Sequence, residues 1–238
     1  MLVQVGVALV WAALGWGVGI VLNRLVYQIP RDRPLFEPPT CPHCGARVAA
    51  VSLYPLDRCT TCREPTGYDR SEWILAALFA MLAFWFGPTT SLFAHSLYLV
   101  ALTVLGLIDL RHRYVYTIVS LPTLLGALLL SPLLAGLGIG ATILGFTAGA
   151  LVFAILYVVG RILYHGMEPM GSGDITIAAI IGAMVGFPRV LSALFVGSIA
   201  SGLFGLAAMV VGGRGRRAFI PYGPGLCLGA LVAFFIGP

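Results

Sequence analysis

Long uncharged stretches dominate this chain, separated by short clusters of arginine and acid. No Asp, Glu, Lys or Arg occurs in residues 1–23, 73–108, 114–160, 175–188, 190–213 or 218–238. A bilayer core takes roughly 20 apolar residues per helix, so the two longest runs each predict a hairpin of two helices. The first hairpin turns at GPTTS, residues 87–91, and the second near SPLLAGLGIG, residues 131–140. With a span at about 2–22, a sixth ending before Pro188, a seventh over about 190–211 and an eighth from about Pro221, the pattern predicts eight transmembrane helices. Proline at a helix start loses little, because the first amides have no intrahelical partner.

Composition agrees with that pattern. The chain is 59% hydrophobic and 10% charged, with a mean hydropathy of +0.98. A soluble domain needs roughly 25% charged residues, so an all-α polytopic membrane protein in contact with the lipid bilayer is expected. All fourteen basic residues are arginine, and thirteen lie at 24–70, 111–113, 161 or 214–217. Alternating spans put those segments on one side, with Arg189 opposite. The positive-inside rule makes that side cytoplasmic and leaves both termini outside. The net charge of +5 thus reports topology and not nucleic-acid binding. Arg24 and Arg31 follow the first span and no positive residue precedes it, the polarity of an uncleaved anchor. The chain divides into a first helix at 1–22, a cytoplasmic loop at 23–72 and a seven-helix core at 73–238.

The polar loop holds four of the five cysteines, in CPHCG at 41–45 and CTTC at 59–62. Two Cys-x-x-Cys knuckles let Cys41, Cys44, Cys59 and Cys62 converge on one zinc ion, and Gly45 suits the tight turn of such a knuckle. The other readings are two disulfides or reduced thiols in a small core. A disulfide framework needs an oxidising compartment, whereas the arginines place this loop in the cytoplasm. His43, inside the first knuckle, is expected in solvent, and Cys227 in the last helix is expected to be a small buried apolar residue.

Of nine acids, only Asp109, Glu168 and Asp174 lie outside residues 32–72. Asp109 ends the third span in LGLIDLRHR, and Asp174 begins the sixth in GSGDITIA. Those spans run in opposite directions, so both carboxylates reach the cytoplasmic boundary. Residues 175–187 give 13 residues before Pro188, about 20 Å of helix, short of a hydrocarbon core of roughly 30 Å. Either the helix starts earlier, near Met167, or GSGD is irregular backbone in the membrane, with Gly171 and Gly173 letting another chain come close. Two such carboxylates hold one proton between them, which is what aspartic peptide hydrolysis requires. Singly, Asp109 also fits a helix-end partner of Arg111 or Arg113, and Asp174 an N-terminal acid favoured by the helix dipole.

With GWGVGIVLNRLVYQIPR at 15–31, CPHCG and CTTC, LGLIDLRHRYV at 105–115, MGSGD at 170–174 and IPYGPGL at 220–226, the chain resembles the bacterial type IV prepilin peptidases, aspartic membrane proteases of the GxGD type. The resemblance implies eight transmembrane helices, a cytoplasmic zinc loop, Asp109 and Asp174 as the catalytic pair, and cleavage of the basic leader from prepilins or pseudopilins. It also implies, for many members, methyl transfer from S-adenosylmethionine to the new N-terminus. The chain departs from the family pattern at Tyr116 and Thr117, where proline and aspartate are usual, and at Thr176, where lysine is usual.

An ion-coupled transporter using the two aspartates, or a noncatalytic pilus or secretion assembly subunit, are the competing classes. Transporters favour midplane sites and repeated halves, and neither is visible in this sequence.

Overall fold

The computed structural model describes residues 2–29, 40–41, 43–47, 58–64, 71–163, 171–210 and 222–236. Met167, His165, Glu168, Met170 and Pro221 lie outside the described residues. The described part is helical: α1 (Leu2–Gln28), α2 (Glu72–Phe86), α3 (Thr90–His112), α4 (Thr117–Leu133), α5 (Ile139–Leu163), α6 (Ser172–Val185), α7 (Arg189–Val210) and α8 (Gly223–Phe235). Helices α1, α3, α5 and α7 are each long and apolar enough to cross a membrane, and the other four are shorter. The chain is an all-α, multi-pass membrane protein. It forms two compact units, Met1–Leu92 and Phe93–Pro238.

In lipid the hydrophobic effect does not drive helices together, so close packing at small residues must. In the first unit, α1 lies on α2 through Gly15 and Gly19. A side-chain carbon at Gly15 would sit 2.7 Å from Phe79 Cβ, and one at Gly19 would sit 2.5 Å from Glu72 Cα. Gly17, between them, faces open space. At the end of this pair Asn23 donates to Glu72 and accepts from Ser71 N at 3.2 Å and Ser71 Oγ at 2.6 Å. All three residues are buried, so these bonds satisfy polar groups that would otherwise be costly there.

The second unit uses the same device twice. Gly145 and Gly149 of α5 abut the carbonyls of Gly182 and Ala178 on α6, and Gly197 of α7 abuts Leu226 of α8. The first of these contacts seats α5 directly on α6. The 14 residues of α6 make about 21 Å of helix, too short to span the bilayer alone. Ile177 through Val185 are all buried, so α6 is surrounded by protein instead of lipid. A second device joins α3, α4 and α6. Ser131 Oγ donates to the Ala183 carbonyl at 2.8 Å, so Tyr98 supplies the hydrogen of the 2.7 Å bond between its hydroxyl and Ser131 Oγ.

Candidate metal centre and active site

The cysteine module is built from two turns with the same backbone pattern. In the first, Cys41 N bonds to the Ala46 carbonyl at 2.8 Å, and Gly45 N returns to the Cys41 carbonyl at 2.9 Å. In the second, Cys59 N bonds to the Glu64 carbonyl and Arg63 N to the Cys59 carbonyl, both at 2.9 Å. Gly45 takes φ +72, and Arg63 holds the equivalent left-handed conformation at φ 61 without being glycine. The buried Tyr27 hydroxyl of α1 donates to the Thr40 carbonyl at 2.8 Å and so ties the first turn to the helix.

The four Sγ atoms lie within 4.8 Å of one another. Cys41 and Cys62 are 3.6 Å apart and Cys44 and Cys59 3.5 Å. Disulfide sulfurs would be about 2.05 Å apart. Four thiolates about 2.3 Å from a tetrahedral zinc ion would be roughly 3.8 Å apart. The donor set therefore fits zinc, and the four thiols are free in this structure. Backbone N–H groups of Cys62 and Thr61 hold the Cys59 thiol down to about 6, so it is a thiolate at neutral pH. His43 is exposed and outside the ligand set.

The acids are positioned by helix ends. Helix α3 ends at His112, and Arg113 at φ 54 turns the chain back toward α4. Asp109 is thereby held in the last turn of α3. Helix α6 begins at Ser172 with Gly171 as its extended N-cap, so Asp174 stands in the first turn. The helix therefore does start before Asp174, at Ser172, and within GSGD only Gly171 is extended. Both aspartates are 6% exposed.

Asp109, Asp174, Gly171 and Gly173 line one cavity of about 460 Å³. Thr117 and Thr176 line it too, so two of the positions that depart from the resembled family's pattern place hydroxyls beside the acids. Tyr116 instead precedes α4, its ring 5.1 Å from that of Tyr114. Arg111, His112 and Arg113 are all exposed, and of the three Arg113 lines the cavity.

The two loop glycines differ. A side-chain carbon at Gly173 would sit 2.5 Å from Val115 Cγ2, so the chain that comes close there is this protein's own α3–α4 connection. Gly171 keeps ordinary space, with Asp174 Oδ2 3.7 Å from such a carbon. Cys227 is buried in the apolar core, as its small side chain suggests.

One site residue escapes a sequence reading that looks for side-chain chemistry. The backbone N–H of Gly223, the first residue of α8, donates to Asp109 Oδ2 at 3.0 Å. A side-chain carbon at Gly223 would lie 2.5 Å from that oxygen and 2.8 Å from Asp109 Cγ, so only glycine fits. The signal was present in IPYGPGL, but a backbone donor leaves no trace in residue chemistry.

The profile of the Type IV leader peptidase family matches residues 96–206, a segment that contains both aspartates. The chain is 30% identical over 253 residues to the prepilin leader peptidase/N-methyltransferase of Legionella pneumophila, covering 92% of this chain and 88% of that protein. It is 28% identical over 236 residues to the protein of the same name from Bacillus subtilis strain 168, covering 92% of each. Against that of Aeromonas hydrophila the identity is 29% over 228 residues, covering 89% of this chain and 78% of the relative. No solved structure matches.

Proposed function

This chain belongs to the type IV leader peptidase family, and we propose that it cuts the basic leader from prepilins or pseudopilins with Asp109 and Asp174 as its paired carboxylates. One observation carries the reading: the two acids buried in the Phe93–Pro238 unit, among the described residues, come from distant parts of the sequence and line one cavity. Intramembrane acids are rare and mark functional sites by default.

The chemistry follows from sharing one proton. The ionised carboxylate takes a proton from water as its oxygen attacks the scissile carbonyl, and the protonated one donates to the carbonyl oxygen. Collapse of the tetrahedral intermediate breaks the C–N bond, the departing amine takes up the proton held by the first carboxylate, and a hydroxyl of the intermediate returns its proton to the second as C=O re-forms. Gly223 N–H occupies Asp109 Oδ2, which leaves Oδ1 to meet water or substrate. The thirteen partitioned arginines support a cytoplasmic active site and zinc loop, in the bacterial inner membrane, with both termini outside. The basic leader then stays in the cytoplasm while the apolar helix that follows it stays in lipid.

On the same reading residues 73–238 are the peptidase core and 23–72 the zinc loop. Cys41, Cys44, Cys59 and Cys62 would hold a structural zinc ion, which supplies folding energy to a segment with little apolar core. The relatives' names include N-methyltransferase, and the second step proposed for this chain is methyl transfer to the amino group that cleavage exposes, with S-adenosylmethionine as the donor. Mass spectrometry of a prepilin incubated with membranes carrying this chain tests both activities. The expected product begins at the leader boundary, and an N-methyl group on it reports the second step. A substrate that stays whole overturns the peptidase reading.

A further inference from the structure

We propose that the apolar groove between α3 and α4 is where the substrate's apolar helix lies while its leader is cut. The proposal rests on the peptidase reading above and adds to it the path by which the substrate reaches the aspartates. The groove has a volume of about 260 Å³ and is lined by Leu97, Tyr98 and Ala101 of α3, Gly126 and Leu130 of α4, and Met184 of α6. The same three helices carry the residues of the aspartate cavity: Asp109 on α3, Ser120 on α4, and Asp174 and Thr176 on α6.

Counting along each helix at 1.5 Å per residue puts the two features in line. Ala101 and Leu97 lie about 12 and 18 Å from Asp109 along α3, and Gly126 and Leu130 about 9 and 15 Å from Ser120 along α4. Met184 lies about 15 Å from Asp174 along α6. All three helices therefore reach the groove at the same depth beyond the acids. A substrate helix with its scissile bond at the acids would pass the groove with about its sixth to twelfth residues.

The chemistry of the walls fits such a helix. Tyr98 and Met184 are buried and form the floor, and Leu97 is 53% exposed at the rim. The Tyr98 hydroxyl is engaged with Ser131, and Thr123 Oγ1 donates to the Val119 carbonyl at 2.8 Å, so neither asks for a polar partner from the groove. Pro122, on the same wall, lacks the amide that would bond one turn back, which loosens α4 at this level. A 15 Å length of helix 10 Å across fills roughly 1,200 Å³, so the groove takes one face of the substrate helix and leaves the other to lipid. Gly126 and Ala101 are the small residues that close approach of two helices in lipid requires.

Gly126 also supplies the test, because nothing lies within 4 Å of a side-chain carbon placed there. Gly126→Leu adds bulk to the groove, its first side-chain carbon meets none of the chain's own atoms, and leucine is a better helix former than glycine. With a full-length prepilin in detergent, Gly126→Leu is expected to raise KM by about tenfold or more, with kcat within about twofold. Gly126→Ala, a smaller plug, raises KM less. Gly202→Leu, on exposed open surface of α7, leaves both constants at the wild-type values. A wild-type KM for Gly126→Leu overturns the groove proposal and leaves the groove to lipid. A wild-type chain that never cuts the prepilin overturns the peptidase reading itself, and the groove with it.

Discussion

The four cysteines and the two aspartates are held in place by different kinds of structure. Each pair of cysteines sits in a single turn whose backbone bonds span at most five residues, from Cys41 to Ala46 and from Cys59 to Glu64. The aspartates come from helices far apart in sequence, and what aligns them is helix packing at residues with no side chain to spare. A local site of the first kind depends on its metal and tolerates change elsewhere. A site of the second kind needs no metal, but one added methyl group where its elements touch can displace it.

The sharpest way to test that difference is Gly223→Ala. The new carbon would sit 2.5 Å from Asp109 Oδ2, so either the carboxylate or the start of α8 must move. Misplacement of a reacting group by about 1 Å costs on the order of 100-fold. A drop of that size in kcat/KM for prepilin cleavage is expected, with zinc content unchanged. Wild-type activity would show that the carboxylate's position does not depend on this contact.

Gly173→Ala should act less strongly, because its obstacle is the tip of the Val115 side chain at 2.5 Å. A loss of about tenfold is expected, and Val115→Ala in the same chain should restore most of it. The double-mutant cycle separates the contact from any other effect of either change. Failure of the second substitution to rescue would mean that Gly173 matters for another reason.

The cysteine module should answer to acid. Its Cys59 thiol titrates at about 6 instead of 9.0, so the folded state favours the thiolate. That contribution is present above the ordinary thiol range and is lost as pH falls through about 6. Because protons compete with the metal for all four sulfurs, zinc carried by the purified protein should decline in acid, read by metal analysis after desalting, and Cys41→Ser with Cys44→Ser should lose it at neutral pH. Zinc retained by the double variant would contradict the assigned ligands.

The same contrast explains what could be read in advance. The charge-free runs locate the helices of the described residues, four of them long enough to cross a membrane, and the boundaries moved: α1 continues through Gln28 and α6 starts at Ser172. The cysteine spacing defines its cluster because all the geometry is local. Asp109 and Asp174 were legible as candidates from direction of travel through the membrane. The packing around them was not. That Gly15 and Gly19 serve α2, that Val115 fills the space over Gly173, and that Gly223 reaches Asp109 through its backbone are tertiary facts.

The most direct test of the central claim is cleavage of a prepilin by membranes carrying Asp109→Asn or Asp174→Asn, with zinc measured on the same purified proteins. Both variants are expected to insert, to keep the zinc content of the wild type, and to leave the substrate uncut, a loss of at least about 100-fold. Cleavage at the wild-type rate by either variant would contradict the pairing of these two aspartates as the catalytic groups.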